Sequence, residues 1–301
     1  MNIAVTNVHL DLGAGRRGTD MGPSAIHVAG LLPKLRGMGH QIAEIQSIGT
    51  RAFEDGEPGL ASARFLSRIL DVCSQLSTLV EGQVRAGHLP LVLGGDHSQA
   101  IGTISGMGKA FRAQGKRLGV LWFDAHTDMN TPDSSPSGNI HGMPLATVLG
   151  RGAPDLVALC GGEPAIRPED VVVFGARDVD AAENHVVKEL GVRVYTMSEL
   201  DRRGTAVCAV EAIEQITKHT DGVHLSFDLD GVDPRDAPGV GTPVPGGLSL
   251  RESHMVCEML NQTGRLVGME MVELNPTLDV ENKTGELAVW LIQSALGKSI
   301  M

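Results

Sequence analysis

Short apolar runs alternate along the chain with longer segments that have the composition of helices. The apolar runs are NIAVTNV, IAEIQSI, LPLVLGG, LGVLWFD, VVVFGAR, VRVYT, GVHLSFD and LVGMEMV. The helix-like segments between them include LASARFLSRILDVCSQLSTLVEGQVRAG, DAAENHVVKELG, TAVCAVEAIEQITKH and LSLRESHMVCEMLNQTG. This alternation predicts an α/β protein with a largely parallel sheet that is covered by helices on both faces. We find no linker, repeat or low-complexity segment, so one domain over residues 1–301 is the simplest organisation.

Clusters of polar residues follow five of the predicted strands. They are GGDHS, DAHTD, RDVD, DLDGVDP and ELNP. Ligand sites of open α/β sheets lie at the carboxyl ends of the strands. The five clusters therefore predict a functional site at that edge of the sheet.

Three of these clusters contain residues that commonly bind metal ions. In DAHTD an Asp, a His and an Asp occupy every second position, and in SFDLDG two Asp residues repeat this spacing. Side chains two positions apart in a strand point to the same face. Each pattern alone has a structural explanation, as a strand-end cap, a turn or a loop histidine, but their convergence favours a metal site. The candidate ligands are His97, Asp124, His126, Asp128, Asp228 and Asp230.

The ligand set indicates how many metal ions are present and which metal they are. Four carboxylates packed together would repel one another, or would have to be protonated, without cations. Two divalent ions would balance their four negative charges. Ligands rich in oxygen, supplemented by nitrogen and free of sulfur favour a hard ion such as Mn²⁺, although intrinsic affinity favours zinc. We therefore predict two Mn²⁺ ions for each chain.

Composition argues against several other classes of protein. The formal net charge is -11, and the chain contains six Phe, two Trp and one Tyr, so neither a basic patch nor stacking aromatics indicate a nucleic-acid partner. No apolar run approaches the roughly 18 residues that a membrane span requires. The N-terminal apolar stretch lacks a basic segment before it, which favours a first strand over a signal peptide. We therefore expect a cytoplasmic protein with no membrane partner.

One glycine-rich motif has to be distinguished from a nucleotide-binding site. The stretch GAGRRG at 13–18 fits the pattern G-x-G-x-x-G after a strand. A dinucleotide fold would need a helix that opens on the third glycine and an acidic residue about 20 positions further on. Here the next helix is expected to start at Pro23, and position 38 lies in GMGH. The motif is therefore not interpreted as a cofactor site.

On these motifs the sequence resembles the arginase branch of the ureohydrolases, which are binuclear manganese amidinohydrolases. The resemblance extends from GRRGTDMGPSAI to the ELNP region. GGDHS, DAHTD and SFDLDGVDP are shared across that superfamily, whereas NTPDSSPSGNIHGMP and GARDVDAAE resemble arginases in particular. The resemblance implies a single three-layer ureohydrolase domain with an eight-stranded, mainly parallel sheet, the arginase/deacetylase-like fold. It also implies a bacterial type of arginase and a homo-oligomer, either a trimer or a hexamer.

The resemblance further implies a role for each matching residue. His97 and Asp128 would bind one manganese, His126 and Asp230 would bind the other, and Asp124 and Asp228 would bridge both. The α-carboxylate of L-arginine would contact Asn130, Ser137 and Asn139, and its α-ammonium group would contact Asp180 and Glu183. Glu273 would face the guanidinium group, Thr242 would line the pocket, and His141 and Asp128 would move protons.

The implied activity is the hydrolysis of L-arginine to L-ornithine and urea by a metal-bridging hydroxide. The nearest alternative is another ureohydrolase, such as agmatinase or guanidinobutyrase. Agmatine has no carboxylate, so such an enzyme would not need the NTP and SGN donors. Alternatives of other classes are a non-catalytic amino-acid sensor, which would be expected to lack a ligand or the shuttle histidine, and a mononuclear zinc deacetylase, which would not need both Asp clusters.

Overall fold

The computed structural model describes residues 1–51 and 53–299. Its strands are β1 (Asn2–His9), β2 (Gln41–Gly49), β3 (Gly59–Leu60), β4 (Ala63–Arg64), β5 (Leu89–Leu93), β6 (Leu118–Phe123), β7 (Val171–Ala176), β8 (Arg193–Thr196), β9 (Gly222–Asp228) and β10 (Leu266–Val272). Its helices are α1 (Gly22–Val28), α2 (Leu31–Gly37), α3 (Leu66–Arg85), α4 (Ala100–Ala113), α5 (Pro144–Val148), α6 (Pro154–Ala158), α7 (Ala181–Leu190), α8 (Met197–Arg203), α9 (Thr205–Thr217), α10 (Leu250–Gln262) and α11 (Lys283–Ala295).

The main sheet contains eight strands in the order β2-β1-β5-β10-β9-β6-β7-β8. Every neighbouring pair in this sheet is parallel. Each of the eight apolar runs in the sequence supplies one of these strands. The prediction of an α/β fold with helices flanking an eight-stranded parallel sheet is therefore confirmed.

The central strands are buried on both faces, which explains their continuous apolar sequences. Every residue of β5, β6, β7 and β9 is buried. Alternate side chains enter different cores: Leu121 and Phe123 pack into one cluster, and Val120 and Trp122 pack into the other. Burial of both faces fixes the register of the strands, so the residues after each strand end are placed accurately.

One predicted helix begins later than its sequence suggested. The pattern predicted a helix over residues 60–87, whereas α3 begins at Leu66 and residues 59–64 form the antiparallel hairpin β3–β4. Phe65 separates the two elements because its backbone is left-handed, with φ of 54°. A left-handed residue cannot continue a right-handed helix. The hairpin contacts the loop after β6 at Gly138.

Two further observations concern the chain as a whole. Within the residues that the structure describes, no helix is both long enough and apolar enough to cross a membrane. All four cysteines are buried free thiols: Cys73, Cys160, Cys208 and Cys257.

Candidate active site

Four neighbouring strands bring the polar clusters together. In the sheet, β5, β10, β9 and β6 are adjacent, and their carboxyl ends lead into GGDHS, ELNP, DLDGVDP and DAHTD respectively. Parallel strands end at the same edge of a sheet, so four segments that are distant in sequence converge there. All six predicted metal ligands lie at this edge.

The first group of ligands is centred on His97. The Nδ1 atom of this imidazole lies 3.2 Å from Asp124 Oδ2, 3.0 Å from Asp128 Oδ2 and 3.2 Å from Asp228 Oδ2. Nδ1 can carry only one proton, so it cannot donate hydrogen bonds to three carboxylates. Both Nδ1 and Asp128 Oδ2 are buried without a hydrogen-bond partner. A cation between these four atoms would satisfy all of them.

The second group is centred on His126 and shares one member with the first. His126 Nδ1 lies 3.4 Å from Asp124 Oδ1 and 3.1 Å from Asp230 Oδ2. Ligand atoms of His97, Asp124 and Asp228 lie close enough together to hold one ion, and those of Asp124, His126 and Asp230 could hold a second. Asp124 presents one oxygen to each group, as a bridging carboxylate would. Asp228 belongs to the first group, and its predicted role as a bridge to the second group stays a prediction.

The electrostatics of the cluster also fit a cation. Burial and the negative charge of Asp124 raise the pKa of Asp128 to about 7. Burial and the charges of Asp230 and Asp124 raise the pKa of Asp228 well above its usual range. A divalent ion would favour the ionised carboxylates and lower these pKa values. The residues therefore fit a pair of metal ions bound mainly through oxygen.

A second layer of buried residues, which we did not predict, orients His97. The other ring nitrogen, Nε2, lies 2.9 Å from Ser226 Oγ, and this hydroxyl donates to Glu270 Oε1 over 2.9 Å. Trp122 stacks on the imidazole with ring centroids 4.2 Å apart and donates from Nε1 to Asp124 Oδ2 over 2.9 Å. The one signal in the sequence was Glu270, a carboxylate within the apolar strand LVGMEMV, because a buried charge requires partners.

Glu273 and His141 form a pair beside the metal ligands. Glu273 Oε1 accepts a hydrogen bond of 2.9 Å from the backbone N–H of His97 and lies 3.0 Å from His141 Nδ1. The other oxygen, Oε2, is buried without a hydrogen-bond partner. Burial lowers the pKa of His141, but the hydrogen bond to Glu273 and its charge outweigh this effect and raise that pKa to about 9. This contact fixes the orientation of the imidazole.

Two site residues have left-handed backbones, which favour glycine. The φ angle is 52° at Asp128 and 65° at Glu273. Such conformations of non-glycine residues cost free energy and cluster at functional sites. The surrounding backbone holds them: Asp128 O accepts from the N–H groups of Leu145 and Ala146, and Glu273 N donates to Gly95 O.

A cavity of about 330 Å³ opens beside both ligand groups. The described residues that line it are His126, Asp128, Asn130, Ser135, Pro136, Ser137, Asn139, His141, Gly142, Asp178, Asp180, Glu183, Asp228, Asp230 and Thr242. All six predicted substrate contacts belong to this set. Glu273 does not, since it lies behind His141 and is almost fully buried.

The polar residues of the cavity wall are held by one another. Asn130 Nδ2 donates to Asp180 Oδ2 over 2.9 Å, and Thr242 Oγ1 donates to Asp230 Oδ2 over 3.0 Å. Asp180 and Glu183 form the capping box of α7, which fixes both carboxylates at the start of that helix. The polar side chains of the wall are therefore already oriented in the absence of a ligand.

The fold and this site define an α/β protein with two adjoining groups of His and Asp residues that could hold metal ions at the carboxyl edge of a parallel sheet. The chain belongs to the arginase family, whose model matches residues 1–297. It is 47% identical over 303 residues to the arginase of Bacillus caldovelox, with 99% of each chain covered. It is 48% identical over 301 residues to the arginase of Bacillus subtilis (strain 168), again with 99% of each chain covered.

Solved structures agree with the sequence comparison. The crystal structure of arginase from Bacillus subtilis matches the whole of this chain and 99% of that chain, with a TM-score of 0.92 at 47% sequence identity. The resemblance inferred from the sequence motifs is thereby confirmed for the family and for the fold.

Proposed function

We propose that this chain hydrolyses L-arginine to L-ornithine and urea with two Mn²⁺ ions, as a cytoplasmic homo-oligomer, either a trimer or a hexamer. The main support for the proposal is the pair of His and Asp groups, which share Asp124 and lie beside the cavity. The proposal agrees with the arginase names of its similar proteins.

The six ligands would divide between two ions. His97 and Asp128 would hold one ion, His126 and Asp230 the other, and Asp124 and Asp228 both. Manganese is proposed because four of the six ligands are carboxylates and none is sulfur. When bound, the ion pair would supply Lewis-acid activation of a water molecule at neutral pH.

The cavity wall would bind and orient the substrate through charge-assisted hydrogen bonds. Asp180 and Glu183 would accept from the α-ammonium group. The α-carboxylate would accept from three donors: Asn130, Ser137 and Asn139. One amide proton of Asn130 goes to Asp180, which leaves its second proton for the ligand.

Two groups would move protons during the reaction. Asp128 would receive the proton that the water molecule loses, on the carboxylate oxygen that does not face the ion, and return it to the leaving amine. His141 lines the cavity, and its contact with Glu273 would hold the ring in place while it exchanges protons with solvent. Glu273 does not line the cavity, so it would act on the guanidinium group through its charge and through His141 and not by direct contact.

Urea release from L-arginine and from agmatine, with Mn²⁺ added after removal of metal by a chelator, tests the proposal. We expect strong activity with arginine, little with agmatine, and none before metal is restored. A preference for agmatine would favour the alternative ureohydrolase and would assign another role to Asn130, Ser137 and Asn139.

The sharing of Asp124 has its own test. Asp124→Asn should abolish the binding of both ions and nearly all urea release, because its two oxygens face different groups. The matched control is Asp71→Asn, at an exposed position on α3, which should bind two ions and retain activity. Two ions and full activity in Asp124→Asn would contradict the shared site.

A further inference from the structure

The cavity is poorly suited, by charge alone, to bind a carboxylate. Six of its described lining residues are acidic, and the described lining contains neither Lys nor Arg. The α-carboxylate of the proposed substrate would therefore depend on neutral donors, whose orientation must be fixed. One of these donors, Asn139, contacts a positively charged side chain from another part of the chain.

That cation is Arg64, at the end of the β3–β4 hairpin. Its Nη1 donates to Asn139 Oδ1 over 3.3 Å, and its backbone N–H donates to Gly138 O over 2.9 Å. Gly138 has a left-handed backbone with φ of 68°, and a Cβ at this position would lie 1.8 Å from Ala61 O. The hairpin and the substrate loop are therefore packed backbone against backbone, and the Arg64 side chain lies behind the cavity wall.

The hydrogen bonds of Asn139 determine which way its amide faces. Oδ1 accepts from Arg64, and Nδ2 donates one proton to Ala14 O over 3.3 Å. A flipped amide would place the NH₂ group against the guanidinium donors and the carbonyl oxygen against Ala14 O. Neither contact is a hydrogen bond. The observed orientation leaves one N–H of Asn139 for a ligand, and a guanidinium bonded to Oδ1 strengthens that N–H as a donor.

We propose that Arg64 is a specificity-determining residue that favours substrates with an α-carboxylate. It acts through Asn139, by fixing the donor orientation of the amide and by placing a positive charge behind an otherwise acidic wall. The inference rests on the proposed function, because it concerns the choice between arginine and its decarboxylated analogue.

The test compares kcat/KM for L-arginine and for agmatine in the Mn²⁺-loaded wild-type enzyme, in Arg64→Gln and in Arg64→Lys. Loss of the charged donor in Arg64→Gln should lower kcat/KM for arginine about tenfold, mainly through KM. The kcat/KM for agmatine should change by less than about twofold. Arg64→Lys keeps the charge but loses the planar donor group. The ratio of kcat/KM for arginine to kcat/KM for agmatine should therefore fall by a smaller factor of about three.

Arg85→Gln is the matched control, because it removes one positive charge at the far end of α3, roughly 30 Å along a helix of this length. Its arginine to agmatine ratio should equal that of the wild type. Equal losses for both substrates in Arg64→Gln would show a merely structural role and overturn the proposal. So would an unchanged ratio in Arg64→Lys, which decides the matter if Arg64→Gln does not fold. Failure of the wild type to hydrolyse arginine would refute the proposed function instead.

Discussion

The hydroxyl of Ser226 selects the form of His97 that can bind a metal. Burial raises the pKa of Glu270, but its hydrogen bond to His224 and the charge of that residue lower the pKa overall, which favours an ionised acceptor. Ser226 gives its only proton to Glu270 and must therefore accept from His97 Nε2. With a metal ion bound, Nδ1 of His97 would be free of a proton and would face the ion with its lone pair.

Removal of this hydroxyl should weaken metal binding more than it weakens the fold. Ser226→Ala should reduce affinity at the His97 group about 10- to 100-fold, the usual cost of losing an outer partner of a metal ligand. A titration of Mn²⁺ against a competing chelator measures this change. Ser105→Ala, which removes another buried hydroxyl next to Cys160, should not alter the affinity. Unchanged affinity in Ser226→Ala would show that the tautomer of His97 is fixed by other contacts.

The difference between the metal ligands and these outer residues shows what a single sequence can predict. The six candidate ligands could be predicted because they lie at the ends of strongly apolar strands and because five of them repeat at a spacing of two. Ser226 also points inward, but a serine carries no metal-binding signal of its own. Glu270 occupies an apolar strand, and its partners, Ser226 and His224, come from the adjacent strand β9. Only the pairing of β9 with β10 brings them together.

At the scale of elements, the loops that carry the ligands are held by Arg177. Its guanidinium donates to the carbonyl groups of Asp230 at 2.6 Å, Gly231 at 3.1 Å and Val244 at 2.8 Å. These carbonyls belong to the loop after β9 and to the GTPVP segment that contains Thr242. One side chain thus joins the end of β7 to two walls of the cavity.

Arg177→Ala should therefore affect both stability and the His126 group. Several partly buried charge-assisted hydrogen bonds are lost together, so the free energy of unfolding should fall by about 2–4 kcal/mol. Denaturant unfolding measures that change, and the metal titration should show weaker binding of one ion. Arg151→Ala, which breaks an exposed ion pair with Glu189, should cost no more than about 1 kcal/mol. Equal costs in the two variants would contradict the role of Arg177.

Elements differ in how well their sequences predicted them. The eight strands of the main sheet were found because burial on both faces leaves a continuous apolar run. The start of α3 was not found, because residues 60–65 have a helix-compatible composition. Their hairpin depends on the left-handed Phe65 and on packing against Gly138, which is distant in sequence. Contacts of this kind also place Arg64 beside Asn139, so its proposed role could not be predicted from motifs.

At the scale of the whole molecule, the buried cluster of Asp residues places like charges close together, which is unfavourable for folding. Asp124, Asp128, Asp228 and Asp230 are almost fully buried within one cluster, and the chain already carries a formal net charge of -11. Burial of like charges opposes folding unless cations bind. Metal binding should therefore contribute to global stability and not only to catalysis.

Removal of metal should lower Tm, and addition of Mn²⁺ should restore it. A ligand that binds only the folded state adds about 2.7 kcal/mol for each site when its concentration is 100 times Kd. Asp228→Asn removes a carboxyl group that can ionise but keeps the oxygen that accepts from Asp230 N. Its metal-free form should melt at or above the Tm of the metal-free wild type, while the rise caused by Mn²⁺ should shrink by more than half. Differential scanning fluorimetry with and without a chelator measures both quantities.

The two halves of this prediction separate charge from packing. If the acidic cluster destabilises the metal-free fold, an isosteric neutral side chain relieves repulsion and at the same time removes a ligand. The Tm of the metal-free protein should then not fall, while the increase in Tm that Mn²⁺ causes should shrink. Asp221→Asn, at an exposed position where the carboxylate accepts from Arg117 N, should leave the response to Mn²⁺ unchanged. A metal-free Asp228→Asn protein that melts well below the metal-free wild type would mean that its hydrogen bonds matter more than its charge, and that the cluster is stable without cations.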